Sequence, residues 1–380
     1  MNFFKKNKQN NVTKKVSKEF SNAYYMKNCK ATWMNPNYEN FSSKGYIKNV
    51  IVNKAISTIA RNVASNEILL YNKDNQEIKH PLISKLIQTP NPVSNMFDLL
   101  ENIVIHLYIS GNAYLNFIAY NNQLESYLLR PDRVKIKSGN SIVPNSYEYT
   151  VDKTKTILEV DPENFKSPVC HIKFHNPLND FYGLSPIETA QYSMEQHNQC
   201  LEWNKSLLEN GARPTGALVL NGNSHMSDEE FDALKTELRS QLSGATNAGQ
   251  IMILEGGITW QEMSINPKDM DFIATKNSAA RDIALALDIP PQILGIQGDN
   301  TYSNFSEARV AFWEETIIPL SEKIMQALTR WININIDETL TLKINYDKIS
   351  ALQEKRQKMY QNLQSASFLT DEEKRKEMGW

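Results

Sequence analysis

The sequence predicts an α+β protein of more than one lobe, with a helical stalk that carries a small β-α-β-β insert. Three observations carry this reading. Runs rich in Tyr, Ile and Val, separated by Asn, Gly and Pro, crowd residues 113–174. Two helical patterns, 185–210 and 271–288, bracket a short strand-rich segment. A chain of 380 residues also exceeds what one compact core usually organises.

Residues 1–45 are rich in Lys, Asn and Ser and read as a flexible basic arm. Ile47, Val50, Ile51, Ala55, Ile59 and Val63 recur at helical spacing, which predicts a helix over 46–64. A short strand, 67–71, follows. His80-Pro81 and Pro90-Asn91-Pro92 bracket a short helix, and a longer one runs from Asn95 to Ile109 until Gly111 stops it. Strand-like runs occupy 113–120, 124–129, 133–137, 147–151 and 169–174. Residues 46–183 therefore read as one α+β lobe.

Ser185-Pro186-Ile187-Glu188 has the form of a helix start, with Ser185 as cap, Pro186 at the first helical position and Glu188 closing a capping box. Ile187, Ala190, Met194, Leu201 and Leu208 continue the pattern to Asn210-Gly211. That is a helix of about 25 residues, or roughly 37 Å. The insert, 211–266, comprises strand 216–220, a helix opened by the capping box Ser227-Asp228-Glu229-Glu230, and strands 250–254 and 258–263 around Glu255-Gly256-Gly257. A return helix, 271–287, ends at Pro290-Pro291. Asn304 with Glu307 opens a long helix to about Trp331, kinked at Pro319. Strand 339–346 and a charged helical region, 348–380, complete the chain.

Composition narrows the chemistry. A net charge of −2 and a pI near 6.4 argue against an all-over basic surface that coats nucleic acid. Cys29, Cys170 and Cys200 are scattered and form no CxxC pair, which supports neither a disulfide framework nor a cysteine-rich zinc site. The longest apolar run, 103–109, is interrupted by His106 and is too short to span a bilayer. The six lysines between Lys5 and Lys18 precede no apolar stretch of the kind a secretory signal has. No GxxxxGK[ST], GxGxxG, HExxH or GxSxG motif occurs. Cys170, His171 and His175 lie close together but supply fewer ligands than structural zinc takes, so they read as packing. The acidic runs 228–230 and 371–373 suit first helical turns, where carboxylates complement the helix dipole. No catalytic centre, cofactor or metal is expected.

Five motifs carry more. Asn176-Pro177-Leu178-Asn179-Asp180-Phe181-Tyr182-Gly183-Leu184-Ser185-Pro186 resembles the N-P-x-x-x-x-x-G-x-S-P stretch of tailed-phage portal (head-to-tail connector) proteins of the HK-ninety-seven-like type. Asn210-Gly211-Ala212-Arg213-Pro214-Thr215-Gly216-Ala217-Leu218 resembles their N-G-A-x-P-x-G-x-L turn. Gly256-Gly257 followed by Trp260 and Met263-Ser264 resembles their hairpin. Ile289-Pro290-Pro291-Gln292-Ile293-Leu294-Gly295 resembles their I-P-P-x-x-L-G, and Tyr302-Ser303-Asn304 with Glu307 resembles the following Y-x-N-x-E. The five stand in the family's order and spacing. Residues 46–175 resemble the family mainly in the order of elements.

The resemblance implies a portal fold. Residues 46–183 would be the wing, 184–210 and 267–291 the paired stem helices, and 211–266 the clip. Residues 292–303 would be the tunnel loop, 304–346 the tunnel helix and a return strand to the wing, and 347–380 a short crown. It also implies a ring, as a dodecamer, at the capsid vertex of a virion assembled in host cytoplasm, from a phage, a prophage or a gene transfer agent. Implied partners are double-stranded DNA held transiently and without sequence preference, the terminase large subunit, a head-tail adaptor and the major capsid protein, with no membrane. Gln297, Asp299, Asn300, Tyr302 and Asn304 would face DNA, and Lys235, Arg239, Glu255 and Trp260 would serve clip docking. Lys235 and Arg239 stand one helical turn apart, a spacing that a solvated charged face has as well. Residues 292–303 equally suit a plain helix connection. Two other readings stay open: a monomeric scaffold or adaptor, and a metal-dependent DNA-processing enzyme with Asp152, Asp161 and Asp180 as its loose candidates.

Overall fold

A computed structural model describes residues 33–120, 123–139, 143–209, 216–220, 227, 229, 232–233, 236, 258–262, 271–296, 298, 302–336, 339–365, 370 and 372–374. Residues 34–380 form one unit and residues 1–33 another.

The flexible arm expected over residues 1–45 does not include 34–45. Residues 34–45 are packed, because the segment carries apolar anchors among its polar residues. Met34 and Phe41 are buried, α1 (Tyr38–Asn40) is capped by Asn37, and a π-helical segment, Phe41–Ile47, follows it. Asn49 then caps α2 (Val50–Ala64), accepting from the amides of Ile51 and Val52. After β1 (Ile68–Tyr71) come α3 (Pro81–Gln88), with Pro81 at its first position, and α4 (Met96–Ser110), capped by Asn95 and ended by Gly111. Val52, Ile56, Ile59 and Val63 of α2 and Leu100, Ile103, Val104 and Leu107 of α4 are essentially inaccessible and centre the main core.

Two three-stranded antiparallel sheets follow. One has the order β3 (Gln123–Leu129), β2 (Asn112–Tyr120), β7 (Val169–Lys173); the other has β4 (Val134–Ser138), β5 (Pro144–Val151), β6 (Thr154–Glu159). Strand β6 is not anticipated by the sequence. Five of its six residues are exposed, so it lacks the alternating apolar signal that marks a half-buried strand. A second, smaller core of Tyr114, Leu129, Val134, Ile136, Tyr147 and Val169 joins the two sheets.

The first stalk helix is broken. α5 (Pro186–Thr189) stops at Ala190, and α6 (Gln191–Glu209) starts afresh. Ser185 does not act as a side-chain cap; its hydroxyl donates to the Tyr108 carbonyl near the end of α4, 2.8 Å away. In the insert, β8 (Gly216–Leu220) pairs antiparallel with β9 (Ile258–Glu262). The expected helix is represented only by scattered positions, and strand 250–254 lies outside the described residues.

α7 (Phe272–Ala286) is capped by Asp271. Pro290-Pro291 ends it, as expected, but also opens a further turn, α8 (Pro291–Leu294), because proline suits a first helical position. α9 (Tyr302–Ala311) begins two residues before Asn304, so Asn304 lies inside the first turn and is not its cap. Helical winding then continues through a π segment, Phe312–Ile317, into α10 (Ile318–Ile336). Pro319 has no N–H to give the preceding turn. The wider winding meets this need, with the Ile318 amide donating to the Trp313 carbonyl five residues back. β10 (Thr341–Ile344) returns to pair antiparallel with β1, Leu342 opposite Leu70. α11 (Gln353–Ser365) buries no residue and is pinned by Lys355–Glu314 at 2.5 Å and Arg356–Asp347.

Candidate functional site

The parts that distinguish this chain are a helix pair with an insert at its end, the glycine crossing at its base, and the root of the segment after α8. Two contacts set the pair. Ser193 Oγ lies 3.5 Å from Asp282 Oδ2, and the Trp203 and Phe272 rings stack at 4.1 Å. The partner number falls as the first rises, so α6 and α7 run antiparallel, and the insert emerges at their Glu209/Phe272 end.

The base of the pair explains the first motif. Gly111, at φ 75°, crosses Gly183 so closely that a Cβ on Gly183 would stand 2.1 Å from the Gly111 carbonyl oxygen. Asn112 Oδ1 accepts from the Gly183 amide at 2.8 Å and faces His171 Nε2 at 3.1 Å. A carbonyl oxygen can only accept, so Nε2 carries the hydrogen. His171 also stacks on Tyr114 at 4.4 Å, and burial lowers its pKa to about 3. Asn179 Oδ1 accepts from the Phe181 and Tyr182 amides, and the Tyr182 hydroxyl accepts from the Ile136 amide. The motif is therefore a structural knot that joins α4, β7 and α5.

The I-P-P-x-x-L-G motif is a pair of linked helix ends. At the end of α7, Asp288 takes φ 57°, its amide donates to the Leu285 carbonyl, and the Ile289 amide donates to Ala284. At the end of α8, Gly295 takes φ 76°, its amide donates to Gln292, and the Ile296 amide donates to Pro291. Both have the hydrogen-bond pattern of a Schellman cap, whose last residue makes an apolar contact. Those residues, Ile289 and Ile296, are both buried in the main core. Thr316 Oγ1 donates to the Asp288 carbonyl at 2.6 Å and ties the root to the π segment. A cleft of about 180 Å³ opens here, lined by Leu285, Pro290, Pro291 and Phe312 with Asp288 and Glu315.

Of the positions singled out by sequence, Gln297, Asp299 and Asn300 lie outside the described residues, as do Lys235, Arg239 and Glu255. Tyr302 opens α9, Asn304 is half-buried in its first turn, and Trp260 stands opposite Leu218 in the β8–β9 ladder. Asp152 and Asp161 lie in local turns, and the backbone carbonyl of Asp180 accepts from Lys173 Nζ. Asp152 takes φ 53° between β5 and β6, and Asp161 Oδ1 accepts from the amides of Glu163 and Asn164. Burial raises Cys170 to about 12, a thiol rather than a thiolate. Among the described residues, no three His, Cys, Asp or Glu side chains are grouped to hold a metal ion. No helix among them is long and apolar enough to cross a membrane. Sequence reading did not foresee Asn112 or Asn49, although an Asn just before an apolar helical run was a legible signal for the second.

Among the described residues, the motifs at 176–186 and 289–295 position backbone rather than reactive groups, as in a structural class of protein. Comparisons with known proteins agree. The chain is 41% identical over 337 residues to an uncharacterized protein of Rickettsia bellii (strain RML369-C), covering 88% of this chain and 87% of that one. It is 22% identical over 334 residues to a probable portal protein of Streptomyces phage phiC31, covering 84% and 72%. Among solved structures it is similar to a chain from the neck of an empty GTA particle, with TM-score 0.72, 33% identity and coverage of 92% and 95%. It is also similar to one from the neck of a native GTA particle computed with C12 symmetry, with TM-score 0.69, 32% identity and coverage of 92% and 94%. The family model for phage portal protein matches residues 51–379. The chain belongs to the phage portal protein family, and its function is that of a portal protein at the capsid vertex.

Proposed function

We propose that twelve copies of this chain close into a ring around a channel for double-stranded DNA. The observation that supports this reading best is the antiparallel α6–α7 pair with its insert, in a chain similar over 92% of its length to one from a C12-symmetric neck. A closed ring uses one surface on each side of the subunit, repeated head to tail. Tyr192, Leu208, Ile273 and Leu285 remain exposed along the pair, Leu285 by 80%, and supply apolar area for such contacts. In this reading α6 and α7 are the stem. The insert is the clip that docks the terminase large subunit during packaging and a head-tail adaptor afterwards, through Lys235, Arg239, Glu255 and Trp260. The α2–α4 lobe with its sheets is the wing, and 347–380 is a short crown beside the capsid interior. The major capsid protein surrounds the ring in the virion.

In this reading Gln297, Asp299, Asn300, Tyr302 and Asn304 face the duplex. DNA has to slide, and a lining dense in Lys and Arg would release many counterions and hold it. Asp288 and Glu315 at the loop root agree with a weak, sequence-independent contact. The ring does no chemistry of its own. Identities of 32% and 33% to GTA necks also favour a gene-transfer-agent type of particle for this chain.

Negative-stain microscopy of the purified protein with native mass measurement tests the ring. Twelve-subunit particles with a central hole are expected; single copies that persist after capsid partners are added would overturn it. Replacing residues 297–302 by a Gly/Ser linker is expected to impair DNA packaging while rings still form. Unchanged packaging would remove those residues from the channel.

A further inference from the structure

His197 lies on the face of α6 that meets the core, and none of it is accessible to solvent. Its Nδ1 is 3.2 Å from Asn49 Nδ2. The Asn49 amide is not free to turn over. Its Oδ1 accepts from the Ile51 and Val52 amides at 3.0 and 3.1 Å and so caps α2, while its Nδ2 also donates to Asn198 Oδ1 at 2.9 Å. Asn49 therefore presents a donor to the ring, and Nδ1 accepts. A neutral imidazole that accepts at Nδ1 carries its hydrogen on Nε2. That Nε2 is buried and has no partner among the described residues. Burial, and then the ammonium of Lys276 on α7, hold the pKa of His197 below the ordinary histidine value.

We infer that His197 is a proton-sensitive latch between the stalk pair and the core, holding α6 against the capped start of α2 only while its ring is neutral. Uptake of one proton from solvent places a hydrogen on Nδ1, facing the Asn49 N–H, and turns a hydrogen bond into a donor–donor contact. Rotating Asn49 would relieve the contact but uncap α2 and release Asn198. The charged groups nearby give no compensation. Lys276 on α7 is of like sign, Lys44 on the π-helical segment and Lys48 just after it are solvent-exposed, and Glu195 on α6 itself accepts from the Met34 amide and Gln191. The charged ring is therefore expelled, and α6 moves with it. The Asn198 side chain donates to the Lys44 carbonyl at 3.0 Å, so the Phe41–Ile47 segment feels the same step.

Hydrogen exchange of the purified full chain between pH 7.5 and 5.5, corrected for intrinsic rates, tests the latch. The readout is exchange over residues 191–209 relative to 96–110, since the second segment reports global opening. In the wild-type chain, relative opening of 191–209 is expected to rise about fivefold between pH 6.5 and 5.5. His197→Gln, which cannot titrate, removes that rise. Asn49→Asp keeps a capping oxygen and offers its second oxygen to a protonated ring, so it reverses the trend and makes 191–209 tighter at pH 5.5. A rise that is equal in 96–110, or that survives His197→Gln, overturns the inference. Should His197→Gln fail to fold, Asn49→Asp decides alone, and a pH response identical to wild type overturns it.

Discussion

Two helix pairs in this chain are built on different terms. α2 and α4 meet through Val52, Ile56, Ile59 and Val63 against Leu100, Ile103, Val104 and Leu107, all buried. α6 buries four of its nineteen residues, Gln191, Met194, His197 and Cys200, and α7 buries Ala279, Ala280, Ile283 and Ala284. From Leu201 to Glu209 it buries none. The first pair is held by apolar area, which tolerates small rearrangements. The second is anchored at one end by a few small and polar groups whose protonation and donor roles must match. The difference separates a part of the subunit that its own core holds from one that its own fold leaves largely exposed.

Ile103→Ala should break the first pair with the largest effect, about 2–5 kcal/mol, because it empties a site with no exposed surface. A denaturant midpoint that hardly moves would mean that α4 is not the centre of the core. Acid comes next. Burial holds His106 at about 4 and His171 at about 3 in the folded chain, against roughly 6.5 when unfolded. Below that value the unfolded chain binds more protons, so stability falls as pH drops and levels off only near the folded values. From pH 7 to pH 5 each histidine should cost about 2 kcal/mol. Urea titrations of His106→Gln and His171→Gln at both pH values check the sign, and an unchanged acid slope in both would refute it.

Trp203→Ala should cost about 1 kcal/mol, the order of an aromatic pair beyond its area. Its effect should appear as faster exchange in 201–209 with little change in 96–110; equal loosening of both would make the pairs one cooperative unit. The smallest effect is expected from Glu314→Gln, below about 1 kcal/mol, since the Lys355 pair is largely exposed. A larger loss in thermal unfolding would mark α11 as part of the core.

Legibility followed burial. The α2 and α4 patterns and the Asn95 and Gly111 signals could be read locally, because apolar spacing and caps act within one or two turns, whereas the return of the last strand to the wing came only from the family resemblance and its pairing with β1 from the fold. The Ser185 cap misread a residue whose hydroxyl serves Tyr108, 77 positions earlier in the chain. The same holds for the Ala190 break and for β6, whose exposed residues follow no inward face. Of the candidate site, the ordered motifs were visible as glycines, prolines and an Asn. What each one touches was not.

By itself, the sequence determined the α+β class, the helix–insert–helix order and the absence of any recognised catalytic motif, since these follow from periodicity, capping residues and composition. Only the tertiary structure decided that Gly183 serves a backbone crossing with Gly111, that Ile289 and Ile296 clamp a double helix end, and that His197 accepts from Asn49. Each of these depends on atoms far apart in the chain that meet within about 4 Å, and no local pattern encodes such a meeting.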